Sequence, residues 1–212
     1  MTLATETGTV TGAAPLAAGF SDPVHDAQRC FRAIMNAVAR PGTRQAISAG
    51  SLTPPAPLSP VAAAIALTLF DYDTPVWLDR PLMTSEAVTS FLRFHTGAPI
   101  VSEPVEAAFA LIAAPESMHP LAGFNQGTAE YPDRSTTVIL AGQTFEGSPA
   151  VKLSGPGIKD TELFATGPVP RVFWDQAVAN NRQFPRGVDL LFAGTAHVAA
   201  LPRSTTVTPL EA

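Results

Sequence analysis

The segment from Asp22 to Gly42 constrains the fold more than any other stretch of the chain. Asp22 is a candidate N-cap, because a short carboxylate accepts hydrogen bonds from the free N–H groups of a helix's first turn. Pro23 follows at the first helical position, where its missing N–H costs nothing and its φ is already helical. Val24, Ala27, Phe31, Ile34 and Val38 then recur at steps of three and four, the period of one apolar helical stripe. Pro41-Gly42 ends the run. The stripe is assigned to packing, with Cys30 beside it as a core residue and Gln28, Arg29 and Arg32 off it.

Beyond this helix the chain alternates. SLTPPAPLSP over 51–60 is a proline-rich connector whose last two residues, Ser59-Pro60, are suited to cap a helix running to about Asp71. Thr74 to Leu78 reads as a short buried strand, and Ser85 to His95 as a helix with Val88, Leu92 and His95 on one face, joined by Phe91. Ala107–Ala113, Thr136–Leu140, Ala150–Leu153, Val188–Phe192 and His197–Leu201 are short apolar runs bounded by turn residues, the pattern of strands. The last two are expected to form a hairpin through Ala193-Gly194-Thr195, after a helix over about Arg171 to Asn180. The interleaving predicts an α/β fold: a single domain with a mixed β-sheet flanked by helices. Residues 1–18 are expected to be a disordered leader, 19–206 the domain and 207–212 a C-terminal tail.

Composition removes several function classes. Eighteen acidic against thirteen basic residues give a formal charge of -5, with the arginines scattered, so no basic stripe exists to hold nucleic acid. The longest apolar run, Val61 to Phe70, is about half of the roughly 20 residues that span a bilayer, so no membrane partner is expected. One cysteine excludes an intrachain disulfide framework and any Cys-rich metal or cluster site, which fits a cytoplasmic protein.

No motif of catalysis is present. His25, His95, His119 and His197 lack metal-ligand spacing, so no metal is expected. There is no G-x-S-x-G elbow, and Gly155-Pro156-Gly157-Ile158-Lys159 lacks the spacing of a phosphate loop and reads as a tight turn. Lys152 and Lys159, the two lysines of the chain, are the sole candidates for a Schiff base, and no cofactor is expected. Arg32, Arg93, His95 and Arg203 are a candidate anion-binding set, since guanidinium groups offer paired donors to phosphate oxygens. The competing reading has the arginines paired with Asp26, Asp71, Asp73 or Asp189 and His95 in a structural contact.

GFSDPVHDAQR from Gly19, continuing through Phe31-Arg32 to Arg40-Pro41-Gly42, closely resembles the opening of the carbon-phosphorus lyase H-subunit family. LTLFDYDTPVWL (67–78), RFHTGAP (93–99), LSGPGI (153–158), FPRGVDL (184–190) and LPRSTT (201–206) resemble its later blocks in the same order, with Ser204 where Thr is expected. Membership implies a homodimer-forming accessory subunit of a core assembly with G, I and J subunits, with no activity of its own expected. That assembly serves phosphonate catabolism. In it the I subunit, supported by G, H and L, joins a phosphonate to the ribose triphosphate of ATP with release of adenine, and the J subunit, a radical enzyme, later breaks the C–P bond. The resemblance also implies local similarity to pyridoxal-phosphate-dependent transferases. The alternative expectation is a binding protein for an anionic nucleotide or phosphonate-sugar phosphate, with its site at the dimer interface.

Overall fold

A computed structural model describes residues 16–148 and 150–210. The expected leader therefore lies, up to residue 15, outside the described residues.

The capping signals act as their chemistry requires. Helix α1 (Pro23–Ala39) begins where the Asp22 carboxylate accepts the His25 N–H at 3.2 Å. After strand β1 (Gln45–Ala46), the Ser59 hydroxyl accepts the Ala62 N–H at 3.3 Å and starts α2 (Pro60–Leu69). Strand β2 (Val76–Leu78) leads through the short α3 (Arg80–Met83) to α4 (Glu86–Thr96). Gly97 closes α4 at φ +71°, a left-handed conformation that favours glycine. Then follow β3 (Ile100–Val101), β4 (Phe109–Ile112), β5 (Thr137–Leu140), β6 (Val151–Ser154), β7 (Glu162–Phe164), α5 (Phe173–Asn181), β8 (Asp189–Ala193), β9 (His197–Leu201) and β10 (Thr206–Pro209).

The strands form two sheets. The larger has the order β1-β9-β8-β5-β4-β2-β3, in which β3, β2, β4, β5 and β8 are parallel, β9 pairs antiparallel with β8, and β1 pairs antiparallel with β9 at the edge. The expected β8–β9 hairpin is present, closed by a Gly194 N–H to His197 carbonyl bond of 2.8 Å. The smaller antiparallel sheet has β6 between β10 and β7. Sequence reading places the 150–153 strand without separating it from the main sheet and ends the domain at Thr206, where β10 begins; Val207 of that strand is buried. The tight turn at Gly155–Ile158 is also present, linking β6 to β7, with the Ile158 N–H bonded to the Gly155 carbonyl at 3.1 Å.

Alternate strand residues face two apolar layers. Leu111, Ile139, Leu191 and Ala200 face α1, α2 and α4, whereas Ile112, Val138, Leu140 and Phe192 face α5 and the small sheet. Every residue from Val61 to Ala66 is buried, so α2 is the central helix of its layer.

One expectation fails here. Of the predicted α1 stripe only Ile34 is fully buried; Val24, Phe31 and Val38 are exposed, as is Met35. The buried side is instead Cys30, Ala33, Ile34 and Ala37. Small side chains let α1 approach the alanine-rich α2 and β9 closely, and that contact turns the bulky row toward solvent. Cys30 is in the core, as expected.

Candidate functional surface

The four candidate anion-binding residues do not form one cluster. Arg203 is committed to the fold: its Nη2 and Nε donate to Asp189 at 2.7 and 3.3 Å, its backbone N–H to the same carboxylate at 2.8 Å, and its Nη1 to the Pro132 carbonyl. His95 donates from Nε2 to the Ala17 carbonyl at 2.9 Å and packs on the Phe91 ring at 4.6 Å, pinning the segment before α1 onto α4. A β-carbon at Gly19 would stand 2.9 Å from the His95 ring, so this contact needs glycine there. Arg93 and Arg32 are exposed on α4 and α1, and their side chains make no hydrogen bond or ion pair among the described residues. Arg203 lies beside β8, and His95 on the helix that feeds β3. β5, β4 and β2 intervene at roughly 4.8 Å per strand.

Other reactive groups are held in structural contacts. Asp79 follows β2 and accepts the Ala113 and Ala114 N–H groups at 2.8 Å each, tying β2 to β4, while its other oxygen accepts from Leu82 at 3.4 Å. Burial raises its pKa, and these three N–H donors offset part of the rise. Burial also pushes the Cys30 thiol up to about 11, with a hydrogen bond from Thr68 opposing it, so the thiol is no nucleophile at neutral pH. Asp22 is held below the usual carboxylate range by the His25 backbone N–H and imidazole that it receives. Among the described residues no group of three His, Cys, Asp or Glu is arranged to hold a metal. Nor is any helix long and apolar enough to cross a membrane.

What stands out is open apolar surface. Phe31 and Met35 are 49% and 47% exposed, and with Val24 and Val38 they form a row along α1 whose members recur at three, four and seven residues. Sequence periodicity picked out Val24, Phe31 and Val38 of this row, without Met35, and misread their direction. At its end lies a cavity of about 230 Å³ lined by Ile34, Val38, Leu69, Phe109, Leu190, Leu191 and Ala200, with Thr137 and Asp189 as its polar members. No sequence pattern announces this cavity, because its wall comes from six elements, α1, α2, β4, β5, β8 and β9. A larger groove of about 450 Å³ between Thr43-Arg44, Phe145 and β7 carries one arginine and one glutamate, Arg44 and Glu162. Of its two glycines, Gly42 is explained by packing, since a β-carbon there would stand 2.8 Å from Leu153.

Comparison with known proteins accounts for the ordered blocks. Residues 18–208 match the model of the family described as bacterial phosphonate metabolism protein (PhnH). The chain is 41% identical over 186 residues to the alpha-D-ribose 1-methylphosphonate 5-triphosphate synthase subunit PhnH of Rhizobium meliloti (strain 1021), covering 88% of this chain and 92% of that protein. It is 34% identical over 79 residues, 37% of this chain and 40% of the other, to a Stutzerimonas stutzeri protein named "Putative C-P lyase subunit protein HtxG". With almost the whole chain matched, from the segment pinned by His95 to β10, the protein belongs to the PhnH family of bacterial phosphonate metabolism proteins.

Proposed function

We propose that this chain is a cytoplasmic, non-catalytic subunit of the carbon-phosphorus lyase core assembly, working as one domain with G, I and J subunits. In that role it supports transfer of a phosphonate to the ribose triphosphate of ATP with release of adenine. The observation that carries the reading is the open row on α1: a helix that has already satisfied its own core keeps Val24, Phe31, Met35 and Val38 toward solvent. Val24, Phe31 and Val38 are spaced by seven, the repeat that seats one helix against another. A two-fold pairing of α1 with α1 of a second copy buries the row on both. The local similarity to pyridoxal-phosphate-dependent transferases belongs to this reading as a relation of fold, with no cofactor bound.

Sedimentation of the purified chain tests the pairing. Phe31→Glu is expected to shift a dimer to monomer without changing its far-UV spectrum, and a wild-type monomer at micromolar concentration would reject it. Coexpression tests the role: G, I and J subunits that assemble and convert phosphonate fully without this chain would sink it.

The unpaired side chains of Arg32 and Arg93 favour a second reading, in which the dimer binds an anionic nucleotide or phosphonate-sugar phosphate with His95 and Arg203 as further members of the set. Calorimetry of the chain with ATP decides it. Absence of heat, with unchanged activity of complexes carrying Arg93→Ala, rejects that reading.

A further inference from the structure

Parallel strands determine which loops share an edge. Because β2, β3, β4, β5 and β8 run in one direction, the segments that lead into them emerge on one side of the large sheet. β9 runs the other way, so its end at Leu201 reaches the same side. Exposed bulky side chains gather there: Tyr72 before β2, Phe94 before β3, Val105 before β4, Tyr131 before β5, Phe184 before β8, and Val38 from the end of α1. Tyr72 and Phe94 are 75% and 73% exposed. Open α/β sheets take small ligands at the opposite, carboxyl edge. In this protein Asp79 and the Ala113-Ala114 backbone close part of that edge by hydrogen bonds. A broad apolar amino edge suits a macromolecule instead.

The 230 Å³ cavity opens within this face. Its floor is Phe109, Thr137 and Asp189, which are register partners at the start of three adjacent strands. A dry apolar cavity of about 150 Å³ takes up benzene, so this one has room for a ring. The Thr137 hydroxyl and the Asp189 carboxylate can accept a donor at the ring's tip, which a phenol supplies. Around Tyr72 and Val105 stand four exposed carboxylates, Asp71, Asp73, Glu103 and Glu106, none of which is in an ion pair among the described residues. Two copies meeting through this patch about a two-fold axis would set like charges against each other. A different chain with basic side chains would not meet that repulsion.

We propose that the amino edge of the parallel strands docks a different subunit of the assembly, which seats a tyrosine in the cavity beside Val38 and lays basic side chains against Asp71, Asp73, Glu103 and Glu106. This rests on the subunit reading above. It adds a second face to the helix row that pairs the copies.

The test is capture of the full chain by affinity-tagged G, I and J subunits coexpressed with it. Tyr72→Glu with Val105→Glu, and separately Leu69→Trp, which fills the cavity from the end of α2 and leaves the α1 row unchanged, are each expected to cut capture at least tenfold. Charge reversal by Glu103→Lys with Glu106→Lys should do the same, whereas Leu163→Glu, on the exposed side of β7, should leave capture at the wild-type level. Wild-type capture of all the edge variants would overturn the inference. If Tyr72→Glu with Val105→Glu instead turned a dimer into a monomer while capture held, the occupant would be a second copy and the inference would again be wrong. Failure to capture the wild-type chain at all would reject the subunit reading itself. Loss of capture by Phe31→Glu alone would leave the subunit reading intact and move the docking face to α1.

Discussion

Arg203 shows how a residue type that suits anion binding can be spent on the fold. Its guanidinium is bound to the Asp189 carboxylate and the Pro132 carbonyl, and its side chain is 16% exposed beside an Asp189 that is 28% exposed. Removing the guanidinium leaves a half-buried carboxylate with only the backbone N–H of residue 203, and the Pro132 carbonyl without its donor. Hydrogen bonds to charged groups contribute about 2 kcal/mol. Arg203→Ala is accordingly expected to lower the unfolding free energy by about 2 kcal/mol in urea titration, with or without ATP present. Sequence reasoning held both outcomes, since it named Arg203 as a candidate ligand and Asp189 as a candidate partner. It had no means to choose, because fourteen residues and a hairpin separate the pair. His95 and Ala17 were beyond it for the same reason, at a separation of 78 residues.

At the scale of elements, legibility followed the length of the signal. The three longest helices were visible because their caps and periods are local: Asp22-Pro23, Ser59-Pro60 and Ser85 stand next to the residues they act on. Strands β1, β3 and β7, of two or three residues, carry no period at all and exist because neighbouring strands pair with them. The direction of the α1 row was illegible because an apolar helix with two usable sides is oriented by what it meets, and it meets α2. Asp79 is a junction of the same kind, capping α3 while joining β2 to β4. Its raised pKa means that the native chain holds this proton more readily than the unfolded chain does. The group's contribution to stability is therefore greatest at low pH and is lost as pH rises through its native pKa. Asp79→Asn does not titrate, so melting curves of the two proteins should show wild type gaining on the variant from neutral to mildly acidic buffer; a parallel pH course for both would contradict this.

Taken whole, the molecule sorts its surface by topology. One apolar layer is shut by α1, α2 and α4 and the other by α5 and the small sheet, which leaves the strand ends and the outer row of α1 as the places where apolar side chains stay open. Gly157 fastens these halves together: a side chain there would overlap the Ala39 carbonyl, so the end of α1 lies directly on the β6–β7 turn. Both borders of the large sheet are two-residue strands, β1 and β3. Borders so short give another chain almost no backbone to copy. Assembly by side-chain contact then predicts an exchange pattern. Amide deuteration of the complex against the free chain should slow in the loops before β2 and β4 and stay unchanged at Gln45-Ala46 and Ile100-Val101. Protection that begins at those two borders would instead mean a sheet continued from one subunit into the next. A chain with blunted borders and an exposed apolar strand end offers side chains to a binding surface without offering backbone that would template a fibre.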